Sequence, residues 1–119
     1  MDSILTSVKK MIGIDESYDA FDDQIIMCIN TVFMTLKQLG VGPDEGYFIK
    51  DSNDEWSDYL GDDDDKLRSV RTYTALKVKM MFDPPTSSIV ADAMNKSIAE
   101  LEWRINGDAD PAFQTKLNN

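Results

Sequence analysis

Between Asp22 and Gly40 the apolar residues Ile25, Ile29, Val32, Leu36 and Leu39 recur at steps of four, three, four and three. That period puts side chains on one face of an α-helix, and it does not fit the two-residue alternation of a half-buried strand. Ile26 and Phe33 widen the stripe, Met27 and Met34 fall on the opposite face, and Gly40 suits the stop. A helix with one long apolar side has to be covered by other elements. The rest of the chain supplies them in the same form.

Residues 3–12 place Ile4, Leu5, Val8, Met11 and Ile12 at helical offsets, with Ser3 as a cap and Gly13 at the end. Residues 63–82 carry two apolar faces. One holds Leu67, Val70, Thr74, Val78 and Met81, the other Tyr73, Leu76 and Met80, as expected of an element packed on both sides. Asp83-Pro84-Pro85 must break that helix. Thr86 or Ser87 then caps a fourth, whose stripe is Val90, Met94, Ile98, Leu101 and Ile105, and Gly107 closes it. Gly40, Gly42, Pro43 and Gly46 punctuate a loop after the long helix; residues 47–49 read as a short extended piece and 54–60 as a helical turn or two. The fold expected is all-α, a small bundle of three long helices at about 22–39, 63–82 and 87–106, with a short N-terminal helix and an irregular acidic insert. Residues 1–106 would form one domain, 41–62 being the insert, and 107–119 an extended or mobile tail.

With 42% hydrophobic residues among 119, the chain can bury a modest core and is too apolar for a disordered acidic tail. Its 22 acids against 12 bases give a net charge of −10, which argues against wrapping nucleic acid. Cys28 is the single cysteine, so no disulfide forms within the chain, and beside its helix stripe it reads as a buried thiol. The N-terminus lacks the charge of a signal peptide, and no apolar run approaches the roughly 20 residues that span a bilayer, so a soluble intracellular product with no membrane contact is expected. Histidine is absent. That removes the commonest general base, the commonest zinc ligand and every Ser–His or Cys–His pair, so neither enzymatic activity nor a cofactor is expected. Asp51, Asn53, Glu55, Ser57 and Asp62 are spaced loosely like a calcium loop, but Trp56 stands where that loop needs glycine, so no metal site is expected.

Charge is segregated along the chain. Residues 41–65 hold ten acids and one base, while residues 66–82 hold five bases and no acid. The run Asp62, Asp63, Asp64 and Asp65 stands where a helix begins, and free N–H groups favour carboxylates there; one of the four should be the N-cap. With Asp54, Glu55 and Asp58 these residues form an acidic patch, either lining a channel for DNA or pairing with the basic helix. On that helix Arg68, Arg71 and Lys79 fall close together, and Trp103 projects from the fourth helix away from its stripe, either as an interface anchor or covered by another segment such as the tail or the first helix. These four are the candidate contacts to another subunit or a partner. Trp56 and Tyr59, one turn apart in the insert, are either core residues, the reading preferred, or interface anchors. Opposite charge on different sides of a subunit suits head-to-tail joining, and such an interface makes a ring when it closes.

Two stretches resemble a known family. SILTSVKKMIGIDESYDAFDDQIIMCINTVFMTLKQLGV has the order short helix, GI-D, short link, aspartate-led long helix, and FDPPTSSIVADAMNKSIAELEWRIN is similar to a closing helix with its double proline and ELEWR string. Both are similar to tailed-phage head–tail connector proteins, also called adaptor or head-completion proteins. The resemblance implies a non-catalytic helical subunit at the virion neck, present in the host cytoplasm during assembly. Its copies would form a ring, dodecameric on the portal protein, extending the DNA exit channel and docking the next tail-joining protein, with DNA passing through unbound. The alternative is an acidic DNA mimic that occupies a host DNA-binding protein.

Overall fold

The computed structural model describes residues 3–109. Five helices follow in order, α1 (Ile4–Met11), α2 (Asp22–Gln38), α3 (Trp56–Leu60), α4 (Asp64–Phe82) and α5 (Ser88–Ala109), and no strand forms among the described residues. The all-α bundle expected from the sequence is the one observed. Helix α4 is its axis, with α1, α2, α3 and α5 all packed on it. Its two apolar faces explain that position: Val70, Tyr73, Thr74 and Val78 are all buried. The Thr74 hydroxyl, fully enclosed, donates to the Val70 carbonyl at 2.7 Å and so leaves no orphaned polar group.

The α2 stripe does what its spacing implies. Ile25, Ile29 and Leu36 are fully buried and Val32 nearly so, each contributing roughly 1.5–3 kcal/mol of burial. Ser3 caps α1 by accepting the Thr6 N–H at 3.2 Å, and Asp63 caps α4 by accepting the Lys66 N–H at 3.1 Å. Two expectations for α5 need correction. Its stripe is buried only from Ile98 onward, and Val90 is exposed. In the antiparallel α4–α5 pair the Tyr73 hydroxyl donates to Glu102 Oε1 at 2.8 Å, so Val90 falls opposite the Pro84–Pro85 turn, past the end of α4. The helix also continues through Gly107, itself buried, to Ala109. A glycine inside a helix costs about 1 kcal/mol, too little to end one that is packed on a neighbour. Residues 110–119 of the expected tail lie outside the described residues. Cys28 is only half-buried, and burial pushes its thiol above the ordinary value.

The insert is folded into the core. Asn30 of α2 holds the passing chain with both ends of its amide: Nδ2 donates to the Ile49 carbonyl at 3.1 Å, and Oδ1 accepts the Ile49 N–H at 2.8 Å. That pair replaces the strand partner an extended segment would otherwise need. Phe33 stacks on Tyr59 at 4.3 Å between ring centroids, Tyr47 stacks on Tyr59 at 5.1 Å, and Trp56 meets Phe33 edge-on at 6.0 Å. The Trp56 indole N–H donates to Ser7 Oγ at 2.7 Å, and the Ile4 N–H donates to the Asp54 carbonyl at 2.9 Å, which ties the insert to α1. Gly42 passes over the Tyr59 ring with φ +92°, and a Cβ there would stand 2.7 Å from Cε1.

Lys9 joins α1 to α2. Its side chain is buried, and its ammonium donates to the carbonyls of Glu16 at 3.0 Å and Tyr18 at 2.8 Å. Asp22 Oδ1 lies 2.8 Å away, off the line of a directed hydrogen bond, and is held by charge. Lys9 is buried and Asp22 half-buried, so removing the ammonium leaves two carbonyls and the enclosed Asp22 Oδ1 without their partner. We expect Lys9→Met to lose about 3 kcal/mol in urea denaturation, and a loss below about 1 kcal/mol would show that the pair contributes little. Gly42→Ala should also destabilise, since it meets both the positive φ and the Tyr59 ring, and thermal melts would register the difference.

Candidate partner interface

The acidic residues divide by the work their carboxylates do. Asp54 Oδ2 accepts the Lys50 N–H at 2.7 Å and the Asp51 N–H at 3.4 Å. Glu55 and Asp58 form a reciprocal capping box on α3, the Glu55 N–H donating to Asp58 Oδ2 at 3.1 Å. Asp63 is the α4 cap, and Asp64 and Asp65 occupy its first turn, where the helix dipole favours them by about 0.3–1 kcal/mol each. Asp62 to Asp65 are all exposed. The patch is therefore two things at once: a set of caps turned toward backbone N–H groups, and an exposed acidic edge at the start of α4. Among the described residues no three acidic or cysteine side chains converge closely enough to hold a metal ion.

The basic residues divide in the same way. Arg71 is half-buried, with its guanidinium 5.7 Å from the centre of the Trp56 ring, so it belongs partly to the insert's own packing. Lys79 pairs with Asp83 at 2.7 Å, and Lys77 stands 4.0 Å from Glu102. Lys66 and Arg68 are exposed, and among the described residues neither has a carboxylate within ion-pair distance. Arg68 and Arg71 line one shallow groove with Met11, Asp64, Leu67 and Thr72. Of the four predicted contacts, the structure brings Arg68 and Arg71 together, commits Lys79 to a local pair, and sets Trp103 on α5 at 61% exposure.

Trp56 and Tyr59, for which the sequence left core and interface both open, are core residues. Sequence reasoning missed the exposed apolar side chains Tyr18, Phe21, Phe48 in the insert and Ile89 on α5. The signal for Ile89 was present, since it adjoins the stripe residue Val90 and lies outside the stripe itself. Met27 and Met34 are exposed on the outer face of α2, where the helical count had put them.

Three phenols titrate late. Burial first, and then the nearby Asp54 and Asp58 carboxylates, push Tyr47 up to about 12. Burial also raises Tyr59, and burial with Glu102 raises Tyr73.

A family model described as a phage connector protein matches residues 4–112 of the 119. No curated protein and no solved structure matches the chain.

A phenol with a folded value above its unfolded value of about 10 stabilises the fold below that pH and loses its contribution as pH rises past it. We therefore expect stability to fall as pH climbs from about 10 toward the Tyr47 value of about 12. Tyr47→Phe should remove part of that fall, as read by thermal melts at stepped pH.

Proposed function

Because this chain belongs to the phage connector protein family, we propose that it joins the portal of the phage head to the tail by forming a ring that extends the DNA channel. The family makes it a structural connector of a phage particle and implies contact with head and tail components. The finer reading takes the portal and the next tail-joining protein as its partners and the virion neck as its place. The observation that carries it is the family match over residues 4–112.

The surface supports the reading. Lys66 and Arg68 stand beside the exposed Asp62–Asp65 edge, an arrangement with charge of both signs available to neighbours. The carboxylates of Asp54, Glu55 and Asp58 face backbone N–H groups, which weakens the alternative that the acidic patch imitates DNA phosphates. An acidic surface near the channel would repel DNA phosphate and let the duplex slide. No helix among the described residues is long and apolar enough to cross a membrane.

The test is to mix the purified protein with the purified portal of the same phage and image the product by cryo-electron microscopy. The reading expects copies gathered coaxially on the portal; a chain that leaves the portal bare sinks it. Charge reversal refines the test. Lys66→Glu with Arg68→Glu should weaken assembly on the order of tenfold at low salt and leave the helical circular dichroism unchanged. Native mass spectrometry showing undiminished assembly would remove these two residues from the interface. Arg71→Glu should differ from that pair by lowering thermal stability as well, since its guanidinium packs on Trp56.

A further inference from the structure

Among the described residues, two of the exposed apolar surfaces lie at opposite ends of the bundle. The first is a groove of about 360 Å³ between the second half of α2 and the insert. Phe33, Met34, Tyr47 and Phe48 line it, with Met34 56% and Phe48 55% exposed. Lys37 and Glu45, both exposed, stand at its sides. The second is convex: the first turns of α5, where Ile89 is 81% and Val90 47% exposed. From Ser88 to Ser97 the helix has no buried residue, and only Ala91 and Met94 are half-covered. Asp92 and Lys96 follow the apolar pair on this stretch.

One chain cannot join them. Phe82, at the end of α4, packs edge-on against Phe21, just before α2, with ring centroids 5.4 Å apart. The start of α5 therefore sits beside the start of α2. The groove begins at Phe33, eleven residues into that helix, or about 16 Å along its axis at 1.5 Å per residue.

We propose that the α5 knob of one copy, Ile89 and Val90, seats in the Met34–Phe48 groove of the next copy. This rests on the ring reading above and names the contact that would build it. The charges argue for a copy of this chain as the occupant. Among the described residues Lys37, Glu45, Asp92 and Lys96 all lack an ion-pair partner. The groove offers one base and one acid, and the knob brings one acid and one base, so each charge can meet its opposite at the rim of an apolar contact. The surfaces differ from each other and lie at different ends, so the contact is head-to-tail: each copy that docks leaves one groove and one knob free for others.

The experiment uses Ile89→Asp and Met34→Asp in the full-length chain, both at positions exposed enough to leave the fold intact, which circular dichroism would verify. Each alone should weaken self-association in sedimentation velocity by about tenfold or more. Mixed, they should form a heterodimer and stop there, because the Ile89→Asp copy keeps a working groove and the Met34→Asp copy a working knob. Variants that assemble as the wild type does, a mixture that yields no heterodimer, or a wild type that stays monomeric at every concentration reached would overturn the contact. Failure here is separable from failure of the ring reading. Copies that gather on the portal equally well with either substitution keep that reading and remove this contact alone.

Discussion

The stack of Tyr47, Tyr59 and Phe33, with Trp56 at its edge, is the contact on which the rest of the structure depends. Residues 41–65 carry a net charge of −9, and a segment so acidic has every electrostatic reason to stay in water. Four aromatic rings oppose that tendency, because each brings a large apolar area to be buried and pairs in geometries worth about 0.5–1.5 kcal/mol beyond it. Phe33 is the only one of the four on a long helix, so it anchors the other three. With the rings in place the backbone follows: Asn30 clamps Ile49, Gly42 clears Tyr59, and Asp54 receives the first N–H of α1. The loop thereby becomes a wall. It closes one side of the groove beside Met34, supplies the ring under Arg71, and sets the angle at which the acidic edge enters α4.

That wall changes what the charges mean. Along the sequence the acidic and basic blocks read as two poles. In the structure much of each block is used locally, by carboxylates that cap α3 and α4 and by cations laid on Trp56 or paired with Asp83. What remains for neighbours is narrower and more specific: Asp62–Asp65 and, directly after them, Lys66 and Arg68. Acid and base thus adjoin at one end of α4. Exposed pairs contribute little to stability, typically up to about 1 kcal/mol, so at an interface this edge would act on approach and orientation more than on strength. Strength requires apolar area, and exposed apolar side chains are found elsewhere, among them Met34 with Phe48 and Ile89 with Val90.

The long helices were legible because burial and the 3.6-residue period give the same signal. Ile25, Ile29, Val32 and Leu36 could be assigned to the core from their spacing alone, and Val70, Thr74 and Val78 likewise. The insert was not legible, since Val41, Tyr47, Ile49, Trp56 and Tyr59 follow no period; their burial is decided by a surface far away in sequence. Lys9 was missed for a related reason. A basic residue on the flank of a short helix looks solvated until the turn at 16–18 brings two carbonyls to it. The end of α5 was misplaced because glycine weakens a helix by less than packing can restore. Among the candidate interface residues, their number and type were readable, but the fate of Arg71 and Lys79 depended on whether a ring or a carboxylate stood beside them. One sequence cannot show that.

The first turns of α5 pose a problem of stability, and its solution bears on how a connector works. Isolated helices of this length are marginal in water, and residues 88–97 bury almost nothing of their own. Their order rests on the continuous helix that packs on α4 from Ile98 onward, and on the Pro84–Pro85 turn that precedes it. Such a segment can be formed and yet easily frayed. A neighbour that covers Ile89 and Val90 would bind only the formed state, and binding to one state stabilises it by mass action. Subunit order and assembly then become one equilibrium: a copy is firmest when it is docked, and a free copy keeps its joining helix apolar without committing it to a rigid, sticky surface. That coupling would suit a part whose copies associate more firmly as they dock, and it follows from where burial stops along α5.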